Sequence, residues 1–406
     1  MAIELWIPGR IEFLGKHTDY AGGRSLLCPV DRGFRVTAEP RHDDIVRVTD
    51  RRSGESVECT IAPDISRPRG HWANYVFTVV RRIARDFPDA HIGADIAFES
   101  DLPAAAGMSS SSALVVAVYM ALAEVNHLRE HNSYRANITT PEHLAEYIGC
   151  IEGGFAFHAF AGDEGVGTLS GCEDQTAMVC GRAGALVQYS FCPVRYESSY
   201  PVPPNHDFVI AASGVVAEKT ASALEKYNAL SRRAAAAAEA WRRASGRADR
   251  TLGDAVAHAS ANDIRSALTE SAVEGFSPAE LVDRFNQFHT ESEVIIPRAG
   301  EALTANDLDE LGAMVDASQL VAEELLGNQV PETMVLVRSA REQLGAVAAS
   351  AFGAGFGGSV WALTRSAEMP DFLRRWQEEY ARAFPNHLET ARFFVTHAGR
   401  PASREE

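Results

Sequence analysis

The sequence predicts an α+β protein of two domains, on three observations. Strand-like and helix-like segments are mixed through both halves of the chain rather than segregated into one. A proline-rich stretch over residues 193–207, with Pro193, Pro201, Pro203 and Pro204, shows no periodicity and marks a boundary. The 406 residues are enough for two or three domains at about 100–200 residues each. The boundary gives two, residues 1–200 and 201–406.

In the first half, Glu4–Ile7 alternates as a strand, Gly22-Gly23 is a turn, and Phe34–Glu39 and Ile45–Thr49 read as short strands. His71–Phe87 reads as a helix. Val76, Val79, Val80, Ile83 and Phe87 recur at helical spacing, with Arg81, Arg82 and Arg85 largely outside that stripe. Ile92–Glu99 alternates as a strand and runs into Leu102–Ser112, a turn rich in alanine and serine, before an apolar helix to about Leu128. Ala185–Phe191 is another strand. In the second half, Phe208–Ala212 is a strand and Ala217–Ala244 one long helical region. More helices follow between about Leu252 and Leu326. Ala346–Ala351, Gly353–Gly358 and Val360–Leu363 read as strand, turn, strand; Glu368–Phe384 is a late helix and Thr390–Val395 the last strand.

Composition narrows the function. Hydrophobic residues at 46% and charged residues at 23% are ordinary for a globular chain. Lys plus Arg is 38 against 55 for Asp plus Glu, a formal charge of −17, which argues against nucleic-acid and anionic-lipid partners. No basic, apolar leader and no run of about 18 apolar residues is visible. The six cysteines form no C-x-x-C pair and read as reduced, mostly buried thiols of a cytoplasmic protein. In so acidic a chain, a phosphate site would have to concentrate its donors and cations locally.

Two phosphate-type motifs fail on their context. Gly9 and Gly15-Lys16-His17 resemble a P-loop, but the glycines are one residue too far apart and His17 stands where Ser or Thr should hold Mg²⁺. Gly353–Gly358 matches G-x-G-x-x-G literally, yet the strand-like Ser359–Leu363 follows it, where a dinucleotide site needs a helix. A third segment, Ala104–Ala113, combines a preceding strand, a glycine and four serines opening a helix. That arrangement makes an anion site from free N–H groups and the helix dipole, and its hydroxyls can cap the helix, bind phosphate or ligate Mg²⁺.

The ordered set is more specific than any one motif. Pro8-Gly9-Arg10, the Gly107–Ser112 loop and Gly353–Gly358 resemble the three motifs of the GHMP small-molecule kinases. His17-Thr18-Asp19-Tyr20 with Gly22-Gly23 resembles the galactokinase signature within that superfamily. Trp72–Val76, Cys172–Gln175 and Lys226–Asn228 resemble further galactokinase segments, in the expected order.

The resemblance implies a two-domain GHMP fold, with a first domain like ribosomal protein S5 domain 2 and a ferredoxin-like second domain. It implies an ATP- and Mg²⁺-dependent sugar 1-kinase acting on galactose or a related sugar. Asp174 and Arg10 would be catalytic, and Lys16, His17, Asp19 and Tyr227 would line the sugar pocket. Gly107, Met108, Ser109, Ser110, Ser111 and Ser112, with Gly355 and Gly357, would surround the ATP phosphates. Ser111 and Glu152 would meet the metal. Tyr20 is read as core packing. The resemblance gives small-molecule partners only, and oligomeric state is not legible.

Three departures stand out. Lys16 replaces the family's glutamate, a charge reversal at an expected sugar contact. It predicts either a uronic acid or a sugar lacking C6, such as arabinose, or else a lysine that snorkels to solvent and leaves galactose bound. A glycine-rich stretch, residues 155–171, is longer than in the family and predicts a loop or lid beside the sugar. Ala104-Ala105-Ala106 replaces the family's Leu-Gly-Ala. A non-catalytic sensor of sugar and ATP on the same fold is the competing class.

Overall fold

The computed structural model describes residues 2–68, 70–103, 107–215 and 221–405. Ala104–Ala106 and the expected helix start at 217–220 lie outside them.

The first sheet contains β1 (Ile3–Leu14), β2 (Arg24–Pro40), β3 (Ile45–Asp50), β4 (Ser56–Thr60), β5 (Ala94–Ser100), β6 (Ala185–Ser190) and β7 (Arg195–Pro201). The second contains β8 (His206–Ala212), β9 (Ala348–Phe352), β10 (Ser359–Arg365) and β11 (Arg392–Thr396), in the antiparallel order β11-β8-β10-β9. A short β12 (Ser403–Arg404) returns to β1, so the first sheet runs β12-β1-β2-β5-β3-β4, with β6 on the remaining length of β2 and β7 on β6.

Two strands exceed the sequence reading. β1 does not end at Ile7. It passes through Pro8 and Gly9 with register shifts between Pro8 and Arg10 and again between Glu12 and Leu14, and bulges of this kind accommodate both residues. The regular pairing of Arg10, Ile11 and Glu12 with Pro29, Cys28 and Leu27 puts Arg10 and Glu12 on one face. β7 lies inside the stretch read as structureless. It pairs only with β6 and is exposed or half-buried throughout, so no alternation marks it, and its Pro201 is tolerated at an edge.

The helix Ser110–Val125 packs on β1 and β2 and is buried on nearly all sides, which explains its almost unbroken apolar run. Ala73–Asp86 and Pro141–Gly153 cover it. On the second sheet, Pro331–Arg338 and Met369–Ala383 cover one face through Leu336, Phe372 and Trp376. The other face meets β1. Phe13 stacks on Trp361 at 4.3 Å between ring centroids and contacts Phe208 edge-on at 6.3 Å. The two sheets therefore share one core cluster across β1. A separate helical layer, Ala221–Ser245 with Leu252–His258, Ala261–Thr269 and Pro278–His289, closes on Trp241, Phe285 and Phe288. Among the described residues no helix is long and apolar enough to cross a membrane. Cys28 is buried and the other five cysteine residues are half-buried, with burial raising each of their thiols.

Candidate active site

A cavity of about 360 Å³ opens where β1, the serine helix, the helix Glu173–Cys180, the helix Ala221–Ser245 and the β9–β10 turn converge. That volume is typical of a small-molecule site, about 300–1,000 Å³. Arg10 comes from the middle of β1, and Asp174 is the second residue of its helix. Arg10 Nε donates to Asp174 Oδ1 at 2.7 Å, and its Nη1 donates to the Gly107 carbonyl at 2.6 Å. The Arg10 side chain is buried; Asp174 is a quarter exposed, toward the cavity. Burial pushes the Asp174 carboxyl up, but the Arg10 charge and hydrogen bonds from Ser109, Arg10 and Ser112 outweigh it and hold it below the usual range.

The serine loop meets this pair directly. Gly107 and Ser109 both take left-handed backbone conformations, φ 65° and 57°, which turn the chain into the helix at Ser110. Ser109 Oγ donates to Asp174 Oδ2 at 2.5 Å. Ser112 Oγ stands 3.1 Å from the same oxygen and 3.2 Å from Glu152 Oε1, and its single proton can serve one at a time. Ser110 and Ser111 also line the cavity, as does Met108, whose side chain belongs to the core. Glu152 sits at the end of the helix Pro141–Gly153, buried, with Gln175 Nε2 donating to its Oε2 at 2.6 Å. Among the described residues, no cluster of three or more His, Cys, Asp or Glu forms a self-sufficient metal cage.

The β9–β10 turn closes the cavity on the other side. Gly353, Gly355, Gly357 and Gly358 all have positive φ. A Cβ on Gly355 would lie 2.5 Å from the Asn328 carbonyl. The glycines therefore serve a tight turn against Asn328 between two antiparallel strands, in keeping with the strand-like sequence that follows them.

At the sugar-signature end, Asp19 is buried and accepts from the Glu173 N–H at 3.2 Å. Burial raises its carboxyl to about 6, against hydrogen bonds from the Tyr20 and Glu173 backbones. A Cβ at Gly171 would stand 2.2 Å from Asp19 Oδ2, so only glycine leaves that carboxylate its place. His17 lines the cavity with both ring nitrogens engaged: Nε2 faces the Ala354 carbonyl at 3.1 Å and Nδ1 faces Tyr20 Oη at 2.8 Å. Burial and Arg284 lower His17 to about 3, so the ring is neutral; Nε2 carries the proton and Nδ1 accepts from Tyr20. His17 thus supports the pocket wall rather than offering a hydrogen bond to a sugar, and Tyr20 both packs and orients it. Tyr227, from the helix Ala221–Ser245, lines the cavity 5.3 Å from the His17 ring.

Lys16 is the main correction. It does not line the cavity, nor does it reach solvent: it is 2% exposed. Its ammonium donates to Ser318 Oγ at 2.9 Å and to Ser350 Oγ at 2.7 Å, and Ser318 donates on to Glu291 at 2.9 Å. Glu291 also accepts from the Gly15 N–H at 2.8 Å. Lys16 therefore ties the signature loop to β9 and to the helix Leu308–Val321. The charge reversal that predicted a uronic acid, a sugar lacking C6 or a lysine reaching solvent belongs instead to this buried network.

The long stretch 155–171 is a strap rather than a lid. Arg81 holds Asp163 at 2.6 and 3.2 Å, Asn74 donates to the Val166 carbonyl, and Asn228 bonds both Leu169 N–H and the Gly167 carbonyl. Its end, Thr168, Ser170 and Gly171, forms cavity wall. Sequence reasoning missed Glu12 and Glu173, both buried in that wall. Glu12 lies two residues from Arg10 on β1, beyond Ile7, where the alternation in sequence ends.

Comparisons with known proteins agree with this architecture. Residues 74–182 match the GHMP kinases N terminal domain, residues 300–382 match GHMP kinases C terminal, and residues 8–40 match the galactokinase galactose-binding signature. The chain is 30% identical to a galactokinase of Chloroflexus aurantiacus over 377 residues, 92% of this chain and 87% of that protein. It is 25% identical to one from Actinobacillus pleuropneumoniae, over 91% of this chain and 87% of that one. Among solved structures, Lactococcus lactis galactokinase complexed with galactose superposes with a TM-score of 0.81 at 22% identity, covering 100% of this chain and 95% of that one. Methanococcus jannaschii mevalonate kinase gives 0.60 at 14% identity, covering 98% of each.

Proposed function

The chain belongs to the galactokinase family of the GHMP kinases, and from that membership we propose that it transfers the γ-phosphoryl group of ATP to the anomeric hydroxyl of galactose. The observation that carries the reading is the Arg10–Asp174 pair at the meeting point of the serine loop, the glycine turn and the sugar signature. Phosphate is met by the N–H groups of Gly107–Ser112 at the helix start, with the Ser110 and Ser111 hydroxyls and the turn at Gly355 and Gly357. Ser109 and Ser112 orient Asp174 instead. This local donor set resolves the −17 charge: the phosphates need no basic surface.

Asp174, held ionised, accepts the proton of the attacking hydroxyl as the new O–P bond forms and the bond from the γ-phosphorus to the ADP oxygen breaks. Arg10 fixes Asp174 and the Gly107 carbonyl together and faces the charge spread over the transferring group. Asp19 accepts from sugar hydroxyls, with His17 and Tyr227 as the aromatic wall. Glu152 and Ser111 would hold Mg²⁺ through oxygen donors of the kind it takes, and it would supply charge neutralisation at the ATP phosphates. The six free thiols suit a cytoplasmic location.

A uronic acid is not favoured, because the cavity presents Asp19 and Asp174 to the sugar and Lys16 points elsewhere. The test is ADP release with galactose, arabinose, glucuronate and galacturonate. Galactose is expected to give the highest kcat/KM, with the acidic sugars below it by about tenfold or more. Best turnover of an acidic sugar would overturn the reading, and binding of sugar and ATP with no ADP formed would support a sensor.

A further inference from the structure

We propose that Glu12 and Glu173 form a proton-sharing carboxyl pair that positions Arg10 against Asp174 during transfer. The inference rests on the kinase reading and concerns residues to which no role has been given. Glu12 lies two residues after Arg10 on the same face of β1, and Glu173 immediately precedes Asp174. The pair therefore joins the same two elements that the Arg10–Asp174 contact joins. Its outer atoms reach further. Glu12 Oε2 accepts from the Gly353 N–H of the glycine turn at 3.1 Å, Glu173 Oε2 accepts from Ser25 Oγ on β2 at 2.8 Å, and the Glu173 N–H holds Asp19. The other Glu12 oxygen, Oε1, is buried and receives no hydrogen bond from any donor among the described residues, and the two carboxyls face each other. Neither carboxylate has a hydrogen to give, so one proton held between them is what would satisfy that orphaned oxygen.

The surroundings enforce it. Arg10 and Lys16 face the pair with positive charge from β1 and the loop after it, while Asp19 and Asp174 face it with negative charge from the signature loop and the helix. Four ionised carboxylates around these two cations leave the site over-charged, and a retained proton relieves that. Burial raises both carboxyls, and repulsion from Glu12 and Asp19 adds to the rise of Glu173. Because a raised carboxyl gives up its contribution as pH increases through its folded value, the pair fails on the alkaline side. Two adjacent negative charges then push β1 away from the helix that carries Asp174.

The experiment is the pH profile of kcat at saturating ATP and sugar for wild type, Glu12→Gln and Glu173→Gln, beside infrared spectra of the same proteins without substrate. A glutamine amide donates to the remaining carboxylate at any pH. The wild-type profile is expected to fall on the alkaline side, and each glutamine variant to lose that limb or shift it by about one pH unit or more. Glu173→Ala is expected to lower kcat about tenfold while moving the sugar KM less than about threefold. The wild-type spectrum at neutral pH is expected to show a protonated-carboxyl band that both glutamine variants lack. An unchanged alkaline limb in both glutamine variants, or a wild-type spectrum without that band, overturns the pair. The band is read without turnover, so its absence would leave the kinase reading standing, and that reading falls or holds on the sugar screen alone.

Discussion

Asp174→Asn is expected to lower kcat by about 10²–10⁴-fold, the range general-base catalysis supplies. The substitution keeps size and shape. It removes the negative charge that draws the hydroxyl proton, and it sets an amide N–H either against the Arg10 Nε–H or against the Ser109 and Ser112 hydroxyls. Sugar affinity should survive, because Asp19 and Tyr227 are untouched. Calorimetric titration with galactose alongside kcat separates the two effects. A variant that keeps more than about a tenth of its turnover shows that Asp174 is not the base.

Arg10→Lys is expected to cost about 10²–10³-fold in kcat, the magnitude seen when one preorganised donor to a developing charge is removed. Arginine here spans two partners at once, with Nε on Asp174 and Nη1 on the Gly107 carbonyl, and so fixes the serine loop relative to Asp174. A lysine carries its charge at one point and cannot reproduce that fork. Because both residues act through one contact, the double variant Arg10→Lys with Asp174→Asn should fall well short of the product of the single losses. Full additivity, measured as kcat for all four proteins, would separate their functions.

The Arg10–Asp174 contact was legible because its residues sit in short, local motifs: Pro8-Gly9-Arg10, the serine loop and Cys172–Gln175 could be recognised without knowing their neighbours. The glycine turn was legible through its context, since the strand-like Ser359–Leu363 excluded a helix. Lys16 was not, because its meaning is tertiary. Sequence shows a cation inside a sugar motif, but Ser318, Ser350 and Glu291 arrive from roughly 275 to 334 positions away and decide where the ammonium goes. His17 lines the cavity as expected, but that Ala354 and Tyr20 use both its nitrogens is tertiary in the same way. β7 escaped because an edge strand with no buried face leaves no alternation. Glu12 escaped because Pro8 and Gly9 look like the end of a strand, while in the fold they are a bulge that the strand crosses.

The central claim is that Arg10 and Asp174 direct phosphate to the anomeric oxygen of galactose. Phosphorus NMR of a reaction containing the protein, ATP, Mg²⁺ and galactose reads it directly. The expected result is a phosphomonoester whose phosphorus couples to the sugar's anomeric proton, growing in step with ADP and absent with Asp174→Asn. Phosphate on another carbon, or a signal undiminished in Asp174→Asn, would contradict it.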